Sequence, residues 1–195
     1  MDLPDVLPRA AGLRVFNWKD AIISDLQSPE ENSRGYLLSA IATALTGVFF
    51  LQLLRIFHGW LRSVSAAGTF AGSTLFGLGA AGAMAVGILA PFPHSYDAVH
   101  IPLAFATFIF LVAGTGVYLF LASLYFRSSS RVRSLSLLLS SFLTLGILGV
   151  LGWLYVTPDF FTGESLLTTL ALWEWLLCAS IVGLLLMLAT SAQSS

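Results

Sequence analysis

Five long apolar stretches, at residues 35–57, 69–91, 99–126, 132–156 and 165–190, limit what this chain can fold into. A helical crossing of the bilayer's hydrocarbon core needs about 20 consecutive apolar residues. Each stretch supplies that length with few or no charges at its centre. Turn or charge signals separate them: His58-Gly59 with Arg62, Pro91-Phe92-Pro93, Arg127 to Arg131 through three serines, and Thr157-Pro158-Asp159. A closed β-barrel also satisfies its backbone inside lipid. Barrel strands, however, alternate apolar and polar residues, and runs such as 135–143 and 184–188 do not. The expected fold is all-α: a polytopic bundle of five transmembrane helices over residues 35–190. An extramembrane N-terminal segment (1–34) precedes it and a polar C-terminal tail (191–195) follows.

Composition agrees. Charged residues make up 10% of the chain, whereas a soluble domain needs about 25% to cover its wet surface. Soluble globular, disordered, collagen-like and nucleic-acid-binding classes are therefore excluded. The single cysteine excludes a disulfide scaffold, a CxxC redox centre and a four-thiolate metal site.

Residues 1–34 hold ten of the nineteen formal charges, and no apolar stretch there has the length of a signal-peptide core. Val15, Trp18, Ile22 and Leu26 recur at spacings of three and four, which fits either a short amphipathic helix in the interface or an irregular tail. Ser28-Pro29-Glu30-Glu31 has the form of a capping box, with Ser28 as N-cap, Pro29 in the first helical position and Glu31 reaching back. It predicts that the first membrane helix starts here. Arginines set the orientation. Arg55 and Arg62 mark the end of the first span and the turn after it, and Arg127, Arg131 and Arg133 the turn after the third, while the opposite loops, 92–98 and 157–164, carry Asp97, Asp159 and Glu164 and no basic residue. This places the N-terminus outside and the C-terminus in the cytoplasm.

In lipid, helices associate through close packing and polar contacts, so small residues collect where they meet. The second span has Gly68 and Gly72 four apart, then Gly79, Ala83 and Gly87 on one stripe; the fourth has Ser136, Ser140 and Thr144, then Gly149 and Gly152. These predict tight internal packing, with a self-association face or a lipid groove as alternatives.

Few residues here are equipped for chemistry. Glu174 is the only acidic residue within a span, flanked by Trp173 and Trp175. A helix starting at Ser165 would carry Glu174 about 14 Å inward, where an ionisable group is costly and reads as functional. A later entry into lipid would leave it a rim residue. The outer loop His94-Ser95-Tyr96-Asp97-Ala98-Val99-His100 has metal-ligand residue types. Zinc would suit them, although position 94 is rotated away from 97 and 100 on a helix, and Asp97 could equally cap the third helix. Lys19, the sole lysine, lies outside every span, and Cys178 reads as a small apolar filler. No cofactor is called for.

The order of motifs resembles a known family. Ile23-Ser24-Asp25-Leu26 and Ser28-Pro29-Glu30 precede the first visible span; Pro91-Phe92-Pro93 leads to His100; Glu174-Trp175 lies in the last helix. This is similar to the six-helix membrane family of the damage-regulated autophagy modulators, the Sfk-type yeast proteins, the GPI-lipid-remodelling factors and their prokaryotic relatives. The family's first helix would precede Ile23, where this chain has no apolar span. The resemblance covers residues 22–190 and implies lipid handling or sensing within the membrane, with His100 and Glu174 at the family's polar positions.

The leading expectation is a non-catalytic integral membrane protein that binds or senses lipid. Its outer-face pocket would be lined by His94, Asp97, His100, Glu174 and Trp175, with Tyr96, Tyr155 and Trp153 nearby. Membrane lipids are then the partners, together with other membrane subunits or a second copy. One alternative is an accessory transmembrane subunit of a larger membrane complex. The other is an intramembrane metallohydrolase using His94, Asp97 and His100, with Asp159 or Glu164 as general base.

Overall fold

The computed structural model describes residue 27 and residues 35–89, 99–127, 130–156 and 170–193. These residues form five helices: α1 (Tyr36–Leu61), α2 (Ala66–Leu89), α3 (Ile101–Phe126), α4 (Arg131–Val156) and α5 (Leu170–Gln193). The molecule is an all-helical membrane-type bundle. Among the described residues α1, α2 and α3 are long and apolar enough to cross a membrane, and α5 contains a shorter apolar stretch, Trp175–Thr190.

Local chemistry explains the starts of three helices. Ser65 caps α2, its Oγ accepting the Gly68 N–H at 3.1 Å, and Ser130 caps α4 by accepting the Arg133 N–H at 3.3 Å. Pro102 sits in the first turn of α3, where a missing N–H costs nothing. The capping box at Ser28 to Glu31 lies outside the described residues. The described α1 begins at Tyr36, with Gly35 as its N-cap and no side-chain cap.

One expected boundary is corrected. His58-Gly59 does not end the first helix, which continues to Leu61. Packing holds the extra turn: Leu61 is fully buried, and Trp60 lies against Tyr125 and Phe126 with ring centroids 5.5 and 6.0 Å apart. Glycine has no Cβ to clash here and its propensity cost is only about 1 kcal/mol, so burial of two large side chains outweighs it.

Helices α1, α2 and α3 form the tightly packed part of the bundle. Helix α4 packs on α3, and α5 packs on α4 and reaches α3 and α1. The close approaches run through glycine. A Cβ on Gly114 of α3 would come within 2.5 Å of the Phe76 backbone nitrogen, and one on Gly87 of α2 within 2.5 Å of the Ala40 carbonyl oxygen of α1. Both crossings are backbone to backbone, as expected where dispersion replaces the hydrophobic drive. The small-residue stripe of the second span thus divides. Gly68, Gly72 and Gly79 face α3, whereas Gly87 faces α1. In α4 the expectation fails: a Cβ on Gly149 or Gly152 would meet nothing within 4 Å. There Ser140 makes the contact, its Oγ pointing to the Met187 sulfur of α5 at 3.7 Å, while the buried Thr144 donates to the Ser140 carbonyl of its own helix and Ser136 is exposed.

The outer surface is apolar. Leu38, Phe70, Val132 and Phe142 are 69–78% exposed, a distribution that water would penalise and lipid does not.

Candidate functional site

Polar side chains inside the bundle gather in two places. The first is a chain of hydrogen bonds across α1, α2 and α3. His58 Nδ1 and Ser73 Oγ are 2.8 Å apart, and Ser73 Oγ and Tyr118 Oη are also 2.8 Å apart. The Tyr118 ring is fully buried, packed edge-on to Phe57 and tilted against Phe76. This lies toward the end of the bundle where α1 and α3 finish and α2 begins. Every polar group in it has a partner from a neighbouring helix, which reads as structural glue.

The second is a cavity of about 260 Å³ at the opposite end, among α1, α2, α3 and α5. From α1 it takes Thr43, Thr46 and Phe50; from α2, Ala83 and Val86. From α3 and the residue before it come His100, Ala104, Thr107, Phe108 and Leu111, and from α5 Cys178, Ile181 and Val182. With a rise of 1.5 Å per residue, these positions run from the helix ends to about 20 Å along α1. The walls are mainly apolar. The polar groups cluster where Gln27, Thr43 and His100 lie.

Gln27 is the unexpected member. It belongs to the N-terminal segment, yet it is 3% exposed, and its Nε2 donates a hydrogen bond to Thr43 Oγ1. Its Oε1 is buried with no hydrogen-bond partner among the described residues. The hydroxyls of Thr46 and Thr107 donate to the carbonyls of Ala42 and Leu103 on their own helices, at 2.8 and 2.7 Å. Their remaining lone pairs are acceptors, beside the hydroxyl of Thr43 and the imidazole of His100, which can each donate.

The cavity is not closed toward the side. Thr46 and Val182 contribute to its lining and are both exposed, so between α1 and α5 it opens on the outer surface of the bundle. Helices α1 and α5 touch only lightly there.

The residues expected from sequence are distributed as follows. His100 is 1% exposed, has helical dihedrals directly before α3, and lines the cavity. Trp175 is half-buried on α5 and is not part of the lining. Position 174 is four residues before Cys178, on the same helical face, but the side chains of Glu174 and Tyr155 lie outside the described residues, as do His94, Tyr96 and Asp97. Trp153 is corrected: it is 62% exposed on the outer face of α4 and cannot line the cavity. Cys178, read as a filler, is a wall residue. Among the described residues no three His, Cys, Asp or Glu side chains gather as a metal-ligand set; Asp159 and Glu164 lie outside them.

The sequence analysis missed Gln27, Thr43, Thr46 and Thr107. Thr43 and Thr46 carried a usable signal, being polar residues three apart in an apolar run. Gln27 carried none.

No protein-family model matches the chain, and no curated protein and no solved structure matches it.

Proposed function

We propose that this is a non-catalytic membrane protein that binds or senses lipid, admitting an apolar molecule from the bilayer through the gap between α1 and α5. The observation that carries this reading is the cavity itself: apolar walls, polar groups at one end, and a lateral mouth. That combination suits a ligand arriving from a hydrocarbon phase, since small-molecule sites are concave, mostly apolar and oriented by a few polar groups. The lipid-handling role implied by the six-helix family that the motifs resemble points the same way.

In this reading α4 and α5 also cross the bilayer, giving five spans. Their 26 and 24 residues reach about 39 and 36 Å at 1.5 Å per residue, more than the hydrocarbon core of about 30 Å. The helix ends bearing Arg62, Arg127, Arg131 and Arg133 lie together at one end of the bundle and would face the cytoplasm. Arg133 there stacks over the Phe126 ring at 4.8 Å. The cavity then opens in the outer half of the membrane.

Native mass spectrometry of the protein released from nanodiscs tests the reading. The wild type should retain bound lipid-phase molecules, and Ala104→Trp, which fills the cavity, should lose them. A wild type that emerges bare under conditions that keep the helices folded would end it.

A second reading, an accessory subunit of a larger complex, is favoured by one feature. The exposed face of α4 carries Phe142, Leu145 and Trp153 around glycines that pack on nothing, a surface onto which another helix could fit. Purification from its native membrane as a stable monomer that still retains bound lipid would count against it.

A further inference from the structure

We propose that the cavity selects a neutral amphiphile whose head is a single hydroxyl, held by the side-chain amide of Gln27. The inference rests on the lipid-binding reading above and names the class of ligand. Its starting point is the 97% burial of Gln27 with one amide end bonded to Thr43 and the other without a partner among the described residues. A buried amide oxygen left unsatisfied costs about 1–3 kcal/mol, and a ligand that satisfies it recovers that loss.

The shape of the polar end specifies the head group. Thr46 and Thr107 have committed their hydroxyl hydrogens to helix carbonyls, so together with Gln27 Oε1 they offer acceptors to a donating head group. An amide oxygen and nitrogen are interchangeable in outline. If the Gln27 amide were turned over, its outer end would donate instead. A hydroxyl donates and accepts, and so fits either way. No Arg or Lys lines the cavity, and its one basic side chain is the buried His100, so a carboxylate or phosphate head would be buried without a permanent counter-charge, at a cost well above that of a neutral group.

The volume limits the rest. A water-sized group occupies about 30 Å³ of liquid, so 260 Å³ holds roughly nine such groups. That is one medium chain or ring, or the headward end of a longer lipid whose tail leaves through the α1–α5 mouth. A diacylglycerol, a long-chain alcohol and a sterol share this chemistry.

The test uses diazirine-bearing analogues of 1-octanol, octane, octanoate and octylamine, photolysed with the full-length protein in nanodiscs at matched mole fractions. Label on α3 and α5 is then mapped by mass spectrometry. The octanol probe should saturate at a concentration roughly tenfold below that of octane, and octanoate should label least. Gln27→Leu should erase the advantage of the alcohol while octane still labels the same residues, which reports an intact cavity. Thr43→Val, which removes the group that holds the amide, should reduce the same ratio and serves if Gln27→Leu misfolds. Equal labelling by octanol and octane in the wild type overturns the proposal and leaves lipid binding standing. So does tightest labelling by octanoate or octylamine, or an undiminished preference in Gln27→Leu. If no probe saturates, the lipid-binding reading itself has failed.

Discussion

Ser73 ties three helices together with one hydroxyl, between His58 of α1 and Tyr118 of α3. Removing it strands both partners in the bundle, whereas Tyr118→Phe leaves the Ser73–His58 bond in place. Interhelical hydrogen bonds in membranes average about 0.6 kcal/mol, and a stranded buried polar group costs about 1–3 kcal/mol. Ser73→Ala should therefore destabilise the protein more than Tyr118→Phe does, measured as the shift in the denaturant or SDS unfolding midpoint. Equal effects would mean that the chain is not coupled through Ser73. The single cysteine supplies a second test at this scale. Cys178 lines the cavity, so its alkylation by a small neutral thiol reagent should slow severalfold when the cavity is filled by octanol or by Ala104→Trp. An unchanged rate would place the thiol elsewhere. Neither role was legible in the sequence. His58 reads as a turn signal and Cys178 as a filler, because what each meets lies on other helices.

Among the helices, the glycines separate those that pack closely from those that do not. A Cβ on Gly114 would overlap backbone atoms of Phe76, which no side-chain rotation relieves. Gly114→Ala should push α2 and α3 apart and cost about 1–3 kcal/mol. Gly149→Ala meets nothing within 4 Å and should be neutral, or stabilising by up to about 1 kcal/mol through helix propensity. Unfolding midpoints of the two variants check the contrast, and a Gly114→Ala protein as stable as wild type would contradict the close crossing. Sequence spacing showed that these small residues share stripes. It did not show which stripe meets a neighbour: the glycines of α2 divide between α1 and α3, and those of α4 face outward.

For the whole molecule the testable statement is orientation. In a Cys178→Ser background, Ser63→Cys and Ser130→Cys lie in the two turns at the arginine end. A membrane-impermeant maleimide should label both from the cytoplasmic side only. Labelling of either from the opposite side would invert the topology and move the cavity to the inner half of the membrane. The α1–α2–α3 unit is more closely packed than α4 and α5, and the cavity mouth lies where α5 touches α1 lightly. A ligand entering from lipid would thus meet the looser seam of the bundle.

The linear chain alone determined the helical class, the long apolar spans and the arginine asymmetry, because length, hydropathy and charge are properties of local composition and lipid leaves the backbone few options. His100 also stood out, as an ionisable residue at the head of a span. Tertiary structure decided where the cavity lies and what gives it polarity. Gln27, nine residues before α1 begins at Tyr36, meets Thr43 through a tertiary contact that no helical spacing relates. Trp153 faces outward because α4 presents its other side to α3 and α5. Such pairings depend on which faces of separate helices meet. Three-dimensional packing sets that, and spacing along one helix does not encode it.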